Sequence, residues 1–595
     1  MPRRFSLLFA LLFSANALVS STARAQIYAV DFSRGADFPL VKTKFGVYQT
    51  PLVTLPRLLG SVPLLREMGA RDLRYEIGWG KPDVLAFDQI GGSKAAPTYD
   101  FSNLDAFFGA LQNIRVRPLV ALAYCPTPLQ TRTEWARWKD LPSDLAAWGR
   151  INRDYAAHFK GRSTVGAPFY EVWNEPDMPE AGGKMFFAGN AQDYGRLYAH
   201  SAAGVRAGDG DALVGGPAAA WNLSYLQPIL NQPLDFASIH GYDNYAAQIA
   251  QMRGALKNRP ELPIFLTEYA SFTDFAPNGP QSRTEGAMRF LRDAKALLRS
   301  ADVTKIYWAQ WLDAGNSPAM GLVTYDGHRK AIFNAFKIYA DLPVDRNFTR
   351  SLSVTNAAKD DAKSVDLVAS SDPNRAGVVL WNPDAAAREI SVDLKNLPFS
   401  RGQLQVMRID AQNASYIDNP ASENLQIVQA QPLFGANSRW KGAIAPHGVV
   451  YLRLLAAKPR KSTSIRIGDL VNTRHDFPDR ASSAFADFDG ETSIARLGTG
   501  NGRGAVKIGA LIDNPRRKFR VAAILDGAAN SAAQAELRLS FQLADGTDSM
   551  PKTVRVPRKI DLDRLAPANW NQSRIRLDFR LQGLPESRVR FDFSP

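Results

Sequence analysis

The sequence predicts an α/β fold: a (β/α)8 TIM barrel followed by a β-sandwich and a further C-terminal all-β domain. Three observations carry this expectation. From about residue 43 to 345, short apolar runs alternate with helical stretches, the rhythm of a parallel sheet wrapped by helices. From Ser353 to Leu455 the text alternates in period two between Asn, Pro and Gly turns, as sandwich strands do. Beyond a basic, polar linker at Lys458 to Ser462 the alternation resumes and runs through Phe593. A chain of 595 residues is too long for one core. The expected division is a leader at 1–25, the barrel at 26–345, the sandwich at 346–457 and the last domain at 458–595.

Met1 to Ala25 reads as a cleavable secretory signal. Arg3-Arg4 supply the charged start, Leu7 to Val19 the apolar middle and Ala23-Arg24-Ala25 the small-x-small cleavage site. An uncleaved anchor is the alternative, but the apolar run is short for a membrane span. Cys125 is the single cysteine, so no internal disulfide is expected after export to the periplasm or beyond.

Ile27 to Leu40 reads as a β segment preceding the barrel. Lys44 to Tyr48 is the first barrel strand, Leu58 to Gly69 its helix, and Asp72 to Glu76 the second strand. Glu76, Trp79 and the Gly-rich segment to Gly92 form a loop at the mouth. Val116 to Ala123 is the third strand, with Tyr124 and Cys125 at its end. Phe169-Tyr170-Glu171-Val172-Trp173 is the fourth, and Pro176 stops regular pairing just past Asn174 and Glu175. Ala191 to Ala207 is an amphipathic helix. Ala212 to Pro217 is the fifth strand, with Trp221 on the loop after it. Leu234 to Tyr242 is the sixth and carries His240. Pro263 to Tyr269 ends in Glu268, and Lys305 to Trp311 is the eighth, with Trp308, Gln310 and Asp313 at its rim.

Glu175 and Glu268 lie 93 residues apart, about three βα units, so both fall at carboxyl ends of strands, where such barrels place their working groups. Two carboxyls facing each other across a barrel mouth are what glycoside hydrolysis needs. One protonates the glycosidic oxygen, and the other attacks or stabilises the anomeric carbon. Trp173 beside Glu175 would raise its pKa towards that of a proton donor. An ordinary turn with Glu175 facing water is the competing reading.

WNEP at one strand end and TE at another, within the eightfold pattern, resemble a retaining glycoside hydrolase of the large Glu/Glu barrel clan. The likeness is to family 39, which contains β-xylosidases, α-L-iduronidase and bacterial endoglycosidases of biofilm exopolysaccharides. The resemblance implies that Arg74 binds the nucleophile and that His240 and Tyr242 contact sugar and nucleophile. In this reading Asn174 meets the 2-hydroxyl, Trp308 floors the sugar subsite, and Trp79, Tyr124 and Gln310 line or support it. One departure is Lys330-Ala331, where a Lys-Pro step is usual.

The formal charge of +14 favours anionic partners, and about eight of these charges fall after residue 457. The basic residues form no block beside aromatic platforms, which argues against nucleic acid. No cofactor or metal is expected, because the six histidines show no ligand spacing. The substrate expected is a polysaccharide or oligosaccharide, an acidic one included. Internal cleavage of a bacterial exopolysaccharide is the leading expectation, with exo-acting β-xylosidase activity or a non-catalytic polysaccharide-binding scaffold as alternatives. The last domain reads as carbohydrate-binding or as inert packing.

Overall fold

The computed structural model describes residues 26–458 apart from 35–37, 39, 82–88, 133–134, 161–167, 181–182, 261, 274, 301, 316–318 and 344–364, and it describes the strands and some connections of 464–594. The expected secretory leader, residues 459–462 of the linker and part of the Gly-rich loop before Gly92 therefore lie outside the described residues. Eight parallel strands close a barrel: β1 (Phe45–Gln49), β2 (Asp72–Glu76), β3 (Arg117–Leu122), β4 (Phe169–Val172), β5 (Leu213–Ala219), β6 (Phe236–Tyr242), β7 (Ile264–Ala270) and β8 (Val303–Ala309).

Among the described residues seven α-helices pack outside the strands: α1 (Leu55–Met68), α2 (Ser102–Asn113), α3 (Leu145–Phe159), α4 (Ala191–Gly208), α5 (Tyr245–Ala255), α6 (Thr284–Arg299) and α7 (Ala331–Asp341). Between β5 and β6 two 3-10 turns, Leu223–Tyr225 and Gln227–Ile229, stand where a helix would. Local chemistry sets the helix ends. The Asp144 side chain accepts from Ala147 N, and Asn190 and Asp193 form a reciprocal capping box. Gly69 closes α1 at φ 82°, a conformation that strains any residue with a Cβ.

Strand parity sorts side chains between the two layers. Leu119, Phe169, Phe236, Phe265 and Tyr307 fill the barrel interior, with the Phe236 and Phe265 rings stacked at 4.2 Å. Below them Asp72 binds both Arg117 Nε and Lys305 Nζ at 3.0 Å, and all three residues are buried. The alternate residues, such as Leu73, Tyr75, Ile306 and Trp308, belong to the core between barrel and helices.

The amino-terminal β segment departs from expectation. Strand Gln26–Asp31 pairs in parallel with Arg388–Lys395, so it joins the later sandwich and not the barrel. Its alternating Tyr28 and Val30 point into the sandwich core, which the barrel's helical coat could not have received. The sandwich has a three-stranded sheet completed by Ser438–Ile444, facing a five-stranded sheet of Asp366–Ser371, Arg375–Trp381, Val449–Ala456, Arg401–Ile409 and Ile427–Phe434. Trp381, Met407 and Tyr451 extend the barrel core into it. Polar ties add to this seat: Tyr451 OH donates to Asp341 at 2.9 Å, and Asn334 Nδ2 donates to the carbonyls of Ala414 and Glu423. The last part of the chain forms two further five-stranded sheets between Ser464 and Ser594, the all-β character the sequence indicates.

Asp72→Ala would leave two buried cations without the carboxylate they share, a loss of about 3–5 kcal/mol. Asp302→Ala, at the exposed Arg253 pair, should cost under about 1 kcal/mol. Denaturant midpoints of the two variants check the contrast.

Candidate active site

The turn after β4 is held in an unfavourable backbone. Trp173 at φ 70° and Glu175 at φ 43° both occupy the left-handed region, a cost of about 1–2 kcal/mol each. Neighbouring strands hold it there: Trp173 N donates to Leu122 O and Glu175 N to Ala218 O, each at 3.1 Å. Asp177 then accepts from the backbone amides of Ala220, Trp221 and Asn222 at 2.7–2.9 Å, tying this turn to the loop after β5. The Glu175 side chain ends at the barrel mouth, and the residue is only 7% exposed.

Arg74 stands on β2, fully buried, with its fork engaged on three partners. Nε donates to Glu171 Oε2 at 2.7 Å, Nη1 to Glu268 Oε1 at 2.9 Å and Nη2 to Asn174 Oδ1 at 2.7 Å. The guanidinium also lies over the Tyr48 ring, 4.5 Å from its centroid. Tyr242 OH donates a short hydrogen bond to the second oxygen of Glu268. His240, paired with Glu268 across β6 and β7, places Nδ1 2.8 Å from Glu175 Oε1 and 3.7 Å from Glu268 Oε2. Donor atoms of Glu175, His240 and Glu268 all lie within 4.8 Å of one another.

The two carboxyls are driven in opposite directions. Burial raises Glu175 above its ordinary 4.5, and the negative charges of Glu268 and Asp177 add to this against the opposing His240 contact. Burial pushes Glu268 up as well, but the His240 and Arg74 charges and the Tyr242 and Arg74 hydrogen bonds outweigh it and hold Glu268 below 4.5. The 2.8 Å contact lets His240 and Glu175 share one proton, with its position set by the tautomer. Pairs of acids pushed apart in this way serve as proton donor and nucleophile.

Of the residues singled out in the sequence, Arg74, Tyr124, Asn174, Glu175, His240, Tyr242 and Glu268 meet at this mouth. Tyr124 OH accepts from Asn174 Nδ2 at 3.4 Å and hydrogen-bonds Glu76. Gln310 lies half-buried at the end of β8, its backbone tied to Met320 and Leu322. Two aromatic assignments need correction. Trp79 is 1% exposed, edge-on to Trp148 and Tyr155, and so it packs beneath the loop instead of facing the cleft. Trp308 is 2% exposed and turned outward against Phe290 and Phe336, because Lys305, Tyr307 and Ala309 take the inward positions of β8. It cannot floor a sugar subsite.

The sequence reading gave no site role to Glu171 or Tyr48. Both sit at inward positions, Glu171 on Arg74 and Tyr48 donating to Glu76 at 2.6 Å. An acid at an inward position of an otherwise apolar strand is the signal that marks Glu171. Burial raises Glu76, which ends β2 inside the barrel and not on the loop. Glu175, His240 and Glu268 have the density of a cation site, but Arg74 and Tyr242 already take both oxygens of Glu268.

The profile of glycosyl hydrolases family 39 matches residues 63–387, more than half of the chain. A β-xylosidase of Caldicellulosiruptor saccharolyticus is 24% identical over 397 residues, covering 59% of this chain and 77% of that protein. The structure of a family 39 enzyme from Xanthomonas axonopodis pv. citri superposes with a TM-score of 0.59 at 20% identity, covering 73% of this chain and 98% of the other. A bacterial orthologue of human α-L-iduronidase superposes at 0.58 with 13% identity, over 96% and 97% of the two chains. That likeness in fold takes in the C-terminal sheets too.

Arg74→Lys replaces a planar fork by one shorter ammonium that cannot reach acceptors spread over three guanidinium nitrogens, and should cost about 3 kcal/mol of stability. Tyr242→Phe removes one hydrogen bond to the Glu268 carboxylate and should cost about 1.5 kcal/mol. Equal losses in urea melts would contradict the three-way anchoring.

Proposed function

The chain belongs to glycosyl hydrolases family 39, and from that premise we propose that it is an exo-acting, retaining β-xylosidase-like enzyme with Glu175 as acid/base and Glu268 as nucleophile. The observation that carries this reading is the close approach of the two carboxyls with opposed proton affinities. Retaining enzymes hold the pair about 5–5.5 Å apart, and inverting ones leave room for a water at about 6.5 Å or more. One oxygen of each carboxyl lies within 4.8 Å of one of the other, an approach on the side of the shorter spacing.

In the first step an oxygen of Glu268 bonds to the anomeric carbon while the glycosidic bond breaks, and the leaving oxygen takes the Glu175 proton. Arg74 and Tyr242 keep Glu268 ionised and aimed until then. Once Glu268 is an ester its negative charge is gone, and with it one of the influences that raise Glu175. Glu175 then accepts a proton from water, the water oxygen bonds to the anomeric carbon, and Glu268 departs as carboxylate. Arg74 fixes the Asn174 amide through Oδ1, which leaves Nδ2, with only a long contact to Tyr124, to meet the sugar's 2-hydroxyl.

The substrate reading moves from internal cleavage of an exopolysaccharide to trimming of terminal xylose. The Caldicellulosiruptor saccharolyticus relative, named a β-xylosidase, supports this alternative. A non-catalytic scaffold would have no use for a buried Arg74 aligned on a nucleophile-like carboxylate. Export through the Met1–Ala25 leader completes the proposal, placing the enzyme in the periplasm or outside the cell. Among the described residues no helix is long and apolar enough to cross a membrane.

Glu268→Gln and Glu175→Gln should each lower kcat/KM on xylobiose, whose sugar leaving group needs the proton, at least about a thousandfold, more than about 4 kcal/mol of barrier. Wild-type-like rates in either variant would refute the assignment.

The pH profile of kcat/KM should be a bell. Its acid limb lies below 4.5, where Glu268 protonates, and its alkaline limb above 4.5, where Glu175 loses its proton. Tyr242→Phe removes a donor to ionised Glu268, so the acid limb should move to higher pH. An unmoved acid limb would show that the Tyr242 bond does not tune Glu268.

A further inference from the structure

We propose that Trp221 is the stacking platform of a leaving-group subsite, receiving the apolar face of the pyranose or aryl ring that departs past Glu175; this rests on the glycosidase reading above. Among the tryptophans whose side chains are described, Trp221 alone is exposed, at 47%, while the others are buried. An aromatic ring left in water forgoes the burial that normally stabilises it. The backbone beneath it is nevertheless firmly held. Asp177 accepts from the amides of Ala220, Trp221 and Asn222, Gln248 Nε2 donates to Ala220 O at 3.2 Å, and Ala218 N donates to Ser238 Oγ at 2.9 Å. A fixed backbone under an exposed ring is a preorganised contact surface.

Its position decides which part of a substrate it meets. Ala218 O accepts from Glu175 N, so the segment bearing Trp221 is hydrogen-bonded to the proton donor itself. Glu268 lies three strands further round at β7, with β5 and β6 between it and β4. The sugar bonded to Glu268 occupies the space between the two acids. The group that receives the Glu175 proton leaves on the Glu175 side of that space, where the β5 loop is tied to the Glu175 turn. A second exposed apolar side chain, Met185, is tied to the same turn, since Met185 N donates to Met178 O and Met178 N to Glu175 O. The ligand class is thus a ring with an apolar face.

The test compares two substrates that differ only in the leaving group, xylobiose and β-xylosyl fluoride, in the wild type, Trp221→Ala and Trp221→Phe. Fluoride carries no ring to stack. The ratio of kcat/KM for xylobiose to that for the fluoride should fall at least about tenfold in Trp221→Ala, and Trp221→Phe should recover most of it. Because the ratio is internal to each protein, loss of folded material does not affect it. An unchanged ratio overturns the platform. If the wild type splits neither substrate, the xyloside reading has failed. Trp221 is then judged by the same ratio for the disaccharide and fluoride of the sugar the wild type does cleave.

Discussion

Everything at the barrel mouth depends on the three-way engagement of the Arg74 guanidinium. A planar fork with fixed donor directions can bind Glu171, Asn174 and Glu268 at once only if the ends of β2, β4 and β7 stand in one relative register. Closure of the eight-stranded sheet sets that register. The buried positive charge then acts with the His240 charge on the protonation pattern. It helps to hold Glu268 below the ordinary carboxylate range while Glu175, outside its direct reach, is raised by burial. Together with the His240 charge and the Tyr242 hydrogen bond, the Arg74 cation separates the proton affinities of two chemically identical side chains.

The rest of the architecture keeps this arrangement dry and rigid. The lower barrel is plugged by the Phe236–Phe265 stack and by Asp72 with its two cations, so the mouth opens on one side. The sandwich braces α7 from outside and takes its own amino-terminal strand from before the barrel. The strained Trp173 and Glu175 backbone is tolerated because two neighbouring strands and the Asp177 clamp over-determine it.

Much of this was legible in the sequence, for a physical reason. The barrel follows from the alternation of apolar runs with helical stretches, and Asn174-Glu175, His240, Tyr242 and Glu268, which meet at its mouth, could be read off at strand ends. The aromatic assignments failed at Trp79 and Trp308 because a tryptophan near a strand end serves a core as readily as a sugar, and only inward–outward parity separates the two. Parity within β8 would have turned Trp308 outward. The same rule places Glu171 beside Arg74. The pairing of Gln26–Asp31 with a strand more than 350 residues later was not legible, since a short mixed strand carries no sign of its partner. The substrate was the least legible of all, because sugar identity depends on loop surfaces and not on the periodic framework.

The central claim is that Glu268 attacks the sugar while Glu175 carries the proton. Its most direct test is to trap the wild type with a 2-deoxy-2-fluoro-xyloside bearing a good leaving group and to map the labelled peptide by mass spectrometry. The account predicts one added fluoroxylosyl group, attached to Glu268. A label on any other residue would contradict it, as would turnover of xylosides with inversion and no trapped species.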